Sequence, residues 1–322
     1  MKAVRVTKHG GPEVLSYQDV EIPQPGPKEA LVKIEASGVN FIDVYFRTGL
    51  YPAEPPFTNG QEAAGVVETV GSEVTEFQPG DRVAYTGVPG SYAEFAAVPA
   101  ARLVKLPEGL DAKQAAAIML QGMTVHYLTH STYALKKGDT CLVHAAAGGV
   151  GLILVQTAKM LGATVIGTCS TEEKAENVRA AGGDHVILYK DQDFEAEVKR
   201  ITDGRGVEVV YDSVGKATWE GSLNSLRPRG TAVFFGNASG PVPPIAPLDL
   251  TKRGSLFMTR PNLAHYTATR EELEWRASDM LGWVRDGKIQ LKIGGEFPLK
   301  DAGQVQADLE ARKTSGKLLL IP

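Results

Sequence analysis

The chain has 322 residues, 43% of them hydrophobic and 22% charged, with a formal net charge of −4. That length suits two domains with a core that needs no staples, and an acidic balance with no basic run longer than a pair such as Lys136-Lys137 argues against a nucleic-acid binder. Two cysteines, Cys141 and Cys169, can build neither a disulfide framework nor a four-cysteine zinc site, and they fit a reducing, cytoplasmic setting.

The N-terminus, Met1-Lys2-Ala3-Val4-Arg5-Val6, alternates apolar and charged residues as a half-buried strand does, and lacks the continuous apolar stretch of a signal peptide. Up to about residue 110 the chain reads as short strands, among them 3–7, 31–36, 64–70, 82–85 and 92–98, separated by turns such as Pro23-Gln24-Pro25-Gly26-Pro27. Such a texture predicts an antiparallel, barrel-like unit, with Val66, Val67, Val70, Val74 and Val83 as its interior. From Asp111 onward strands alternate with helices. The expected strands are 140–144, 164–170, 185–189, 207–212 and 231–236, and the expected helices are 149–161, 172–181, 194–202 and 218–226. This alternation predicts a parallel sheet covered by helices on both faces. A Pro-rich loop follows at 240–247, then a strand at 255–259, helices at 270–286 and 302–312, and a last strand at 317–321. The most apolar segment, 142–161, is broken by His144, Gln156, Lys159 and glycines, so no membrane span is expected.

Glycine is in excess, with 35 residues, and one cluster carries chemistry. His144-Ala145-Ala146-Ala147-Gly148-Gly149-Val150-Gly151 lies between an expected strand and an expected helix. It approximates the dinucleotide fingerprint, with Ala146 in the first glycine place and Gly148 and Gly151 in the second and third. Glycine there lets the backbone approach a pyrophosphate, and the helix N-terminus favours the anion. A packing turn is the competing reading. Where the next strand ends, a carboxylate would bind the 2′-hydroxyl of NAD. The chain has Ser170 there and Lys174 a helical turn on, which favours NADP, although Ser170-x-x-Glu173 also reads as a capping box. His126 and His130 lack ligand company, and no Gly-x-Ser-x-Gly elbow supports a hydrolase.

Several stretches now point to a family. Gly60-Gln61-Glu62-Ala63-Ala64-Gly65, Pro79-Gly80-Asp81-Arg82-Val83 and the glycine turn resemble the medium-chain dehydrogenase/reductase superfamily. Ser37-Gly38-Val39-Asn40-Phe41-Ile42-Asp43, Arg47-Thr48-Gly49-Leu50-Tyr51, Gln121-Gly122-Met123-Thr124, Phe235-Gly236-Asn237-Ala238-Ser239-Gly240 and Leu318-Leu319-Leu320-Ile321-Pro322 resemble its zinc-independent NADPH:quinone reductases, related to zeta-crystallin. The resemblance covers essentially the whole chain. It implies an α/β fold: a Rossmann doubly wound parallel sheet over 123–261 and a GroES-like antiparallel β-barrel domain over 1–122, completed by 262–322.

The zinc enzymes of the superfamily use a cysteine near Asn40 and a His-Glu pair where this chain has Gln61-Glu62, so no metal is expected. The resemblance implies a polar substrate wall of Asn40, Tyr45, Tyr51 and Gln61. It implies an NADPH site formed by Thr124, Ala147, Gly148, Gly149, Val150, Ser170, Lys174, Tyr189, Phe235, Asn237, Ser239, Phe257 and Arg312. Plain structural readings compete: core or rim aromatics for Tyr45 and Tyr51, a backbone bond for Gln61, an N-cap for Thr124, a strand end for Tyr189 and a solvated charge for Arg312. The expected partners are a small-molecule quinone and a second copy of the chain, paired near Val233, Phe234 and Phe235. The alternatives are an NADPH-dependent enone or enal reductase, or a crystallin-like nucleotide-binding protein without catalysis.

Overall fold

The N-terminal alternation folds as strand β1 (Lys2–Val6), which hydrogen-bonds β2 (Leu15–Asp19) in antiparallel register. The computed structural model describes all residues, 1–322. Strand β3 (Glu29–Val39) runs into Asn40, whose extended backbone starts helix α1 (Phe41–Thr48). Gly49, with a φ of 79°, ends that helix in the left-handed conformation that glycine adopts without a Cβ penalty. Strands β4 (Phe57–Thr58), β5 (Glu62–Val70), β6 (Arg82–Thr86), β7 (Phe95–Pro99) and β8 (Val104–Lys105) follow, then helix α2 (Ala112–Tyr127).

The alternating part comprises β9 (Thr140–Val143), α3 (Gly149–Met160), β10 (Thr164–Cys169), α4 (Glu172–Ala180) and β11 (His185–Leu188). It continues with α5 (Phe194–Ile201), β12 (Val207–Asp212), α6 (Trp219–Asn224), β13 (Leu226–Phe234), α7 (Pro247–Lys252), β14 (Phe257–Thr259) and α8 (Leu263–Tyr266). Helix α5 shows why these segments are helical. Asp193 caps it by accepting from the amides of Glu195 and Ala196, acids fill its first turn, and Lys199 and Arg200 close the last, each charge complementing the helix dipole. The chain ends with α9 (Arg270–Arg285), β15 (Ile293–Pro298), α10 (Ala302–Glu310) and β16 (Lys317–Ile321).

Two units result: Met1–Met123 with Thr267–Pro322, and Thr124–Tyr266. The first carries a three-stranded sheet, β2-β1-β4, and a larger sheet in the order β15-β16-β3-β5-β6-β8, with β7 also on β3. Pairing in both is antiparallel except between β15 and β16. Its core holds Val67, Val83 and Leu103, with Val70 and Val74 packed against them. Val66 is not part of that core: it neighbours Val67 on the strand, and successive strand residues face opposite sides.

The second unit is an all-parallel sheet in the order β11-β10-β9-β12-β13-β14. Its core includes Leu142, Ile166, Val210 and Phe234. Strand β13 starts at Leu226 rather than Thr231. Its register against β12 shifts between Val207 and Val209, and Arg229 takes a φ of 62°. A bulge thus absorbs the turn-forming Pro228-Arg229-Gly230 inside the strand. The strand order reverses at β9, so the crevice of this sheet opens at the carboxyl end of β9.

Candidate active site

After Val143 the chain turns through His144-Ala145-Ala146-Ala147 into α3, with Ala145 at a φ of 51°. The Ala146 amide donates to the Thr168 carbonyl at 2.9 Å, tying the turn to β10. A Cβ on Gly151 would come within 2.4 Å of the Ala145 carbonyl oxygen, so the helix can press on the turn only because that residue is glycine. Ala147 is buried, while Gly148, Gly149 and Val150 are half-buried at the mouth. The first amides of α3 lack intrahelical acceptors there, which makes the turn an anion cradle.

At the neighbouring strand end the structure separates two readings of Ser170. The N-cap of α4 is Thr171, whose hydroxyl accepts from the Lys174 amide at 3.3 Å. The expected capping box on Ser170 is therefore not formed: the N-cap lies one residue on, where Lys174 at the third helical position offers no carboxylate, and no group of the chain engages the Ser170 hydroxyl. Lys174 lies half-buried in the first turn of α4. Tyr189, 37% exposed, stands beside Ser170 because its amide donates to the Cys169 carbonyl at 3.1 Å. Ser170, Lys174 and Tyr189 thus gather at the ends of β10 and β11.

At the end of β13, the Phe235 amide donates to the Asp212 carbonyl at 2.8 Å. Phe235 and Asn237 are half-buried on this carboxyl edge. The Ser239 hydroxyl donates to the Val214 carbonyl at 2.7 Å and accepts from the Ala217 amide at 2.9 Å, so it clamps two loops together. Thr124 is buried within α2, a helix already under way from Ala112, so it is no N-cap.

Phe257 is not brought to this edge. In register it pairs with Thr231, four residues before Phe235, which sets it back by roughly 13 Å at ~3.3 Å per residue. It is 63% exposed on the short edge strand and, with Met258, Ser131 and Tyr266, lines a surface cavity of about 280 Å³. Val233 and Phe234 are core residues rather than a pairing surface, because β14 covers the edge of β13. Phe257 and Met258 form the outer edge instead.

In the first unit, Asn40 is only 4% exposed, and its carboxamide is fully committed. Its Nδ2 donates to Glu62 Oε2 at 2.8 Å and to the Gly38 carbonyl at 3.2 Å. Its Oδ1 accepts from Lys317 Nζ at 2.8 Å and from Gln121 Nε2 at 3.2 Å. Lys317 also pairs with Glu62 Oε2 at 2.5 Å, both side chains being essentially without solvent contact. A Cβ on Gly38 would lie 2.2 Å from that carboxylate oxygen, so the close approach requires glycine.

Asp43 accepts from the Asn40 amide at 2.8 Å and the Tyr92 hydroxyl at 2.9 Å. Burial pushes its carboxyl up to about 7, against the pull of those two donors and the Lys317 charge. Burial, and then the Asp43 charge, likewise hold the Tyr92 hydroxyl well above its ordinary value.

This network anchors α1, which carries Tyr45. The rings of Tyr45 and Tyr51 lie 5.2 Å apart, and the Tyr51 amide donates to the Tyr45 carbonyl. Gln61 is 7% exposed, and in contrast to Asn40 no group of the chain bonds its carboxamide. Arg312 is exposed beyond α10 in a left-handed turn, with a φ of 59°.

Comparison with known proteins bears on both units. A family model described as alcohol dehydrogenase GroES-like domain matches residues 26–108, and one described as zinc-binding dehydrogenase matches residues 149–280. A curated quinone oxidoreductase of Pseudomonas aeruginosa is 48% identical, covering 100% of this chain and 99% of its own. The chain belongs to the quinone oxidoreductase family of medium-chain dehydrogenases/reductases. A solved quinone oxidoreductase of Escherichia coli, complexed with NADPH, superposes with a TM-score of 0.98 at 44% identity, covering 100% of both chains. A 2-haloacrylate reductase of a Burkholderia species is 45% identical over 99% of this chain and 98% of its own.

Within this family member, sequence reasoning passed over Lys317, Asp43, Tyr92 and His144. Lys317 follows the polar Lys313-Thr314-Ser315-Gly316 and reads as a surface charge. Its one signal was position, since it opens a strand of four apolar residues. His144 was visible in the turn but carried no motif.

Proposed function

We propose that the protein is an NADPH-dependent quinone reductase that works without a metal ion. The observation that carries this reading is the carboxyl edge of the parallel sheet. There a glycine-tight turn opens onto a helix N-terminus, and Ser170 offers an uncommitted hydroxyl where a carboxylate would repel a 2′-phosphate. Bound NADPH would supply a hydride from its nicotinamide. The chain's own residues bind and orient. Ala147, Gly148, Gly149 and Val150 cradle the pyrophosphate, and Ser170, Lys174 and Tyr189 receive the 2′-phosphate. Thr124, Phe235 and Asn237 serve the nicotinamide end, with Ser239 acting through the loop it clamps. In the first unit, Gln61 presents a free amide to a quinone oxygen, and Tyr45 and Tyr51 wall its pocket. Asn40, fully bonded, acts by holding the start of α1.

The donor set at Asn40, Gln61 and Glu62 does not suit a zinc ion. Two are neutral amides, and the carboxylate is already paired with the Lys317 ammonium. A second reading, reduction of an activated carbon–carbon double bond, is favoured by the relative named 2-haloacrylate reductase. We also infer a cytoplasmic protein, in keeping with two buried free thiols, and a homodimer joined through the exposed edge at Phe257 and Met258.

The deciding experiment is NADPH oxidation by the purified protein with 1,4-benzoquinone, a naphthoquinone, 2-chloroacrylate and an enone, alongside metal analysis. Turnover with the quinones at sub-stoichiometric zinc is expected. Turnover with the alkenes alone selects the second reading, a stoichiometric metal overturns the metal-free reading, and no turnover points to a non-catalytic nucleotide-binding role.

A further inference from the structure

A buried chain of hydrogen bonds runs beneath the carboxyl edge of the parallel sheet. Its root is Asp212, the last residue of β12. One oxygen of its carboxylate accepts from the amides of Val214 at 2.8 Å and Gly215 at 3.0 Å. The other accepts from the hydroxyls of Thr218 and Ser222, both at 2.7 Å. The Ser222 oxygen lies 3.0 Å from His144 Nε2, and His144 Nδ1 lies 3.0 Å from the Thr168 hydroxyl. His144, Thr168, Asp212 and Ser222 are all buried.

The donors can be assigned in order. Ser222 spends its proton on Asp212, so its oxygen must accept, and His144 Nε2 must carry hydrogen. A neutral imidazole protonated there has a bare Nδ1, which accepts from the Thr168 hydroxyl. Burial keeps the imidazole below its ordinary range, although the Asp212 charge opposes this. The Phe194 ring walls it edge-on at 4.8 Å. The result is one directed relay, Thr168 to His144 to Ser222 to Asp212, in which each bond polarises the next.

The placement of the relay is its significance. His144 opens the phosphate turn, Thr168 precedes the Ser170 strand end, and Asp212 holds the loop 213–218. Ser239 in turn clamps that loop to Asn237 and its neighbours. We infer that His144 is a positioning residue for the dinucleotide: its single tautomer ties three cofactor loops into one arrangement without itself touching the ligand. The inference rests on the cofactor reading above, and it explains a buried histidine that the chemistry does not otherwise use.

The test compares NADPH binding by the wild-type protein, His144→Leu and Thr168→Val, followed by nicotinamide fluorescence. Apo melting temperatures are measured in parallel. Thr168→Val keeps the imidazole and its packing and removes only the first donor. Both variants are expected to raise the NADPH Kd, His144→Leu by about tenfold or more and Thr168→Val by a few-fold, because loops no longer held in place must be ordered at the expense of binding. The KM for NADPH should rise more than kcat falls. Nitrogen-15 spectra of histidine-labelled wild-type protein should show His144 with hydrogen on Nε2 alone. Unchanged NADPH affinity with only a lowered melting temperature would reduce the relay to fold stability and overturn the inference, as would a proton on Nδ1 at neutral pH. Wild-type protein that binds no NADPH would instead defeat the cofactor reading, and the inference with it.

Discussion

Replacing Lys317 with methionine is the sharpest perturbation the structure offers. The side chains are of similar length, so packing is largely kept and the ammonium alone is lost. Glu62 would keep its bonds from Asn40 Nδ2 at 2.8 Å and from the Leu120 amide, but would have no cation in a site with 0% side-chain exposure. Removing one partner of a buried pair costs roughly 3–5 kcal/mol, because the remaining charge is uncompensated. That is a large share of the ~5–15 kcal/mol that holds a typical protein folded. Replacing both charges at once costs far less, so Lys317→Met/Glu62→Gln should recover most of the lost stability. The measurement is urea unfolding of the two single variants and the double, with the slope compared so that a midpoint change reads as stability. A loss of less than about 1 kcal/mol for Lys317→Met, or a double variant no more stable than that single, would refute the view that this pair is a mutually dependent, desolvated unit.

Three further outcomes follow from the site geometry. Asp43 binds its proton more tightly folded than unfolded, with its carboxyl raised from 3.8 to about 7. Its contribution to stability therefore falls as pH rises through that window and is flat above it, by up to ~1.4 kcal/mol per pH unit. Denaturation midpoints of Asp43→Asn should gain on the wild type from pH 4 to 7, and parallel curves would refute the assignment. Gln61→Ala should raise the quinone KM several-fold with a melting temperature within a degree or two of wild type, since no group of the chain depends on that amide; a large stability loss would show the amide is structural. Ser170→Asp should weaken NADPH binding by at least about tenfold while sparing or improving NADH, through repulsion of the 2′-phosphate and a new acceptor for the 2′-hydroxyl; equal effects on both cofactors in a titration would remove Ser170 from the site.

The nucleotide-binding half was the more legible in sequence because its signals are local. A buried parallel strand, a glycine turn and a helix start occur within a dozen residues, and the observed β9, α3 and β10 fall within a residue or two of their expected ends. What escaped was non-local. Helix α2 has apolar residues almost all round, so no amphipathic period marked it. Lys317 finds Glu62 across 255 positions, and no window of sequence contains both. Ser170 and Thr171 are adjacent potential caps, and only the backbone conformation of Thr171 decides between them. Phe257 was misplaced because a resemblance gives a residue a role, whereas strand register gives it a height in the sheet.

The order of synthesis gives the Lys317–Glu62 pair a temporal meaning. Residues 124–266 form an uninterrupted unit whose strands pair only with one another, so a growing chain can complete that sheet while the remainder is still being made. The other unit must wait. Strand β16 emerges long after β3, and until it docks there the Glu62 carboxylate has no counterion and the sheet has an open edge at Val39, Gly38 and Ser37.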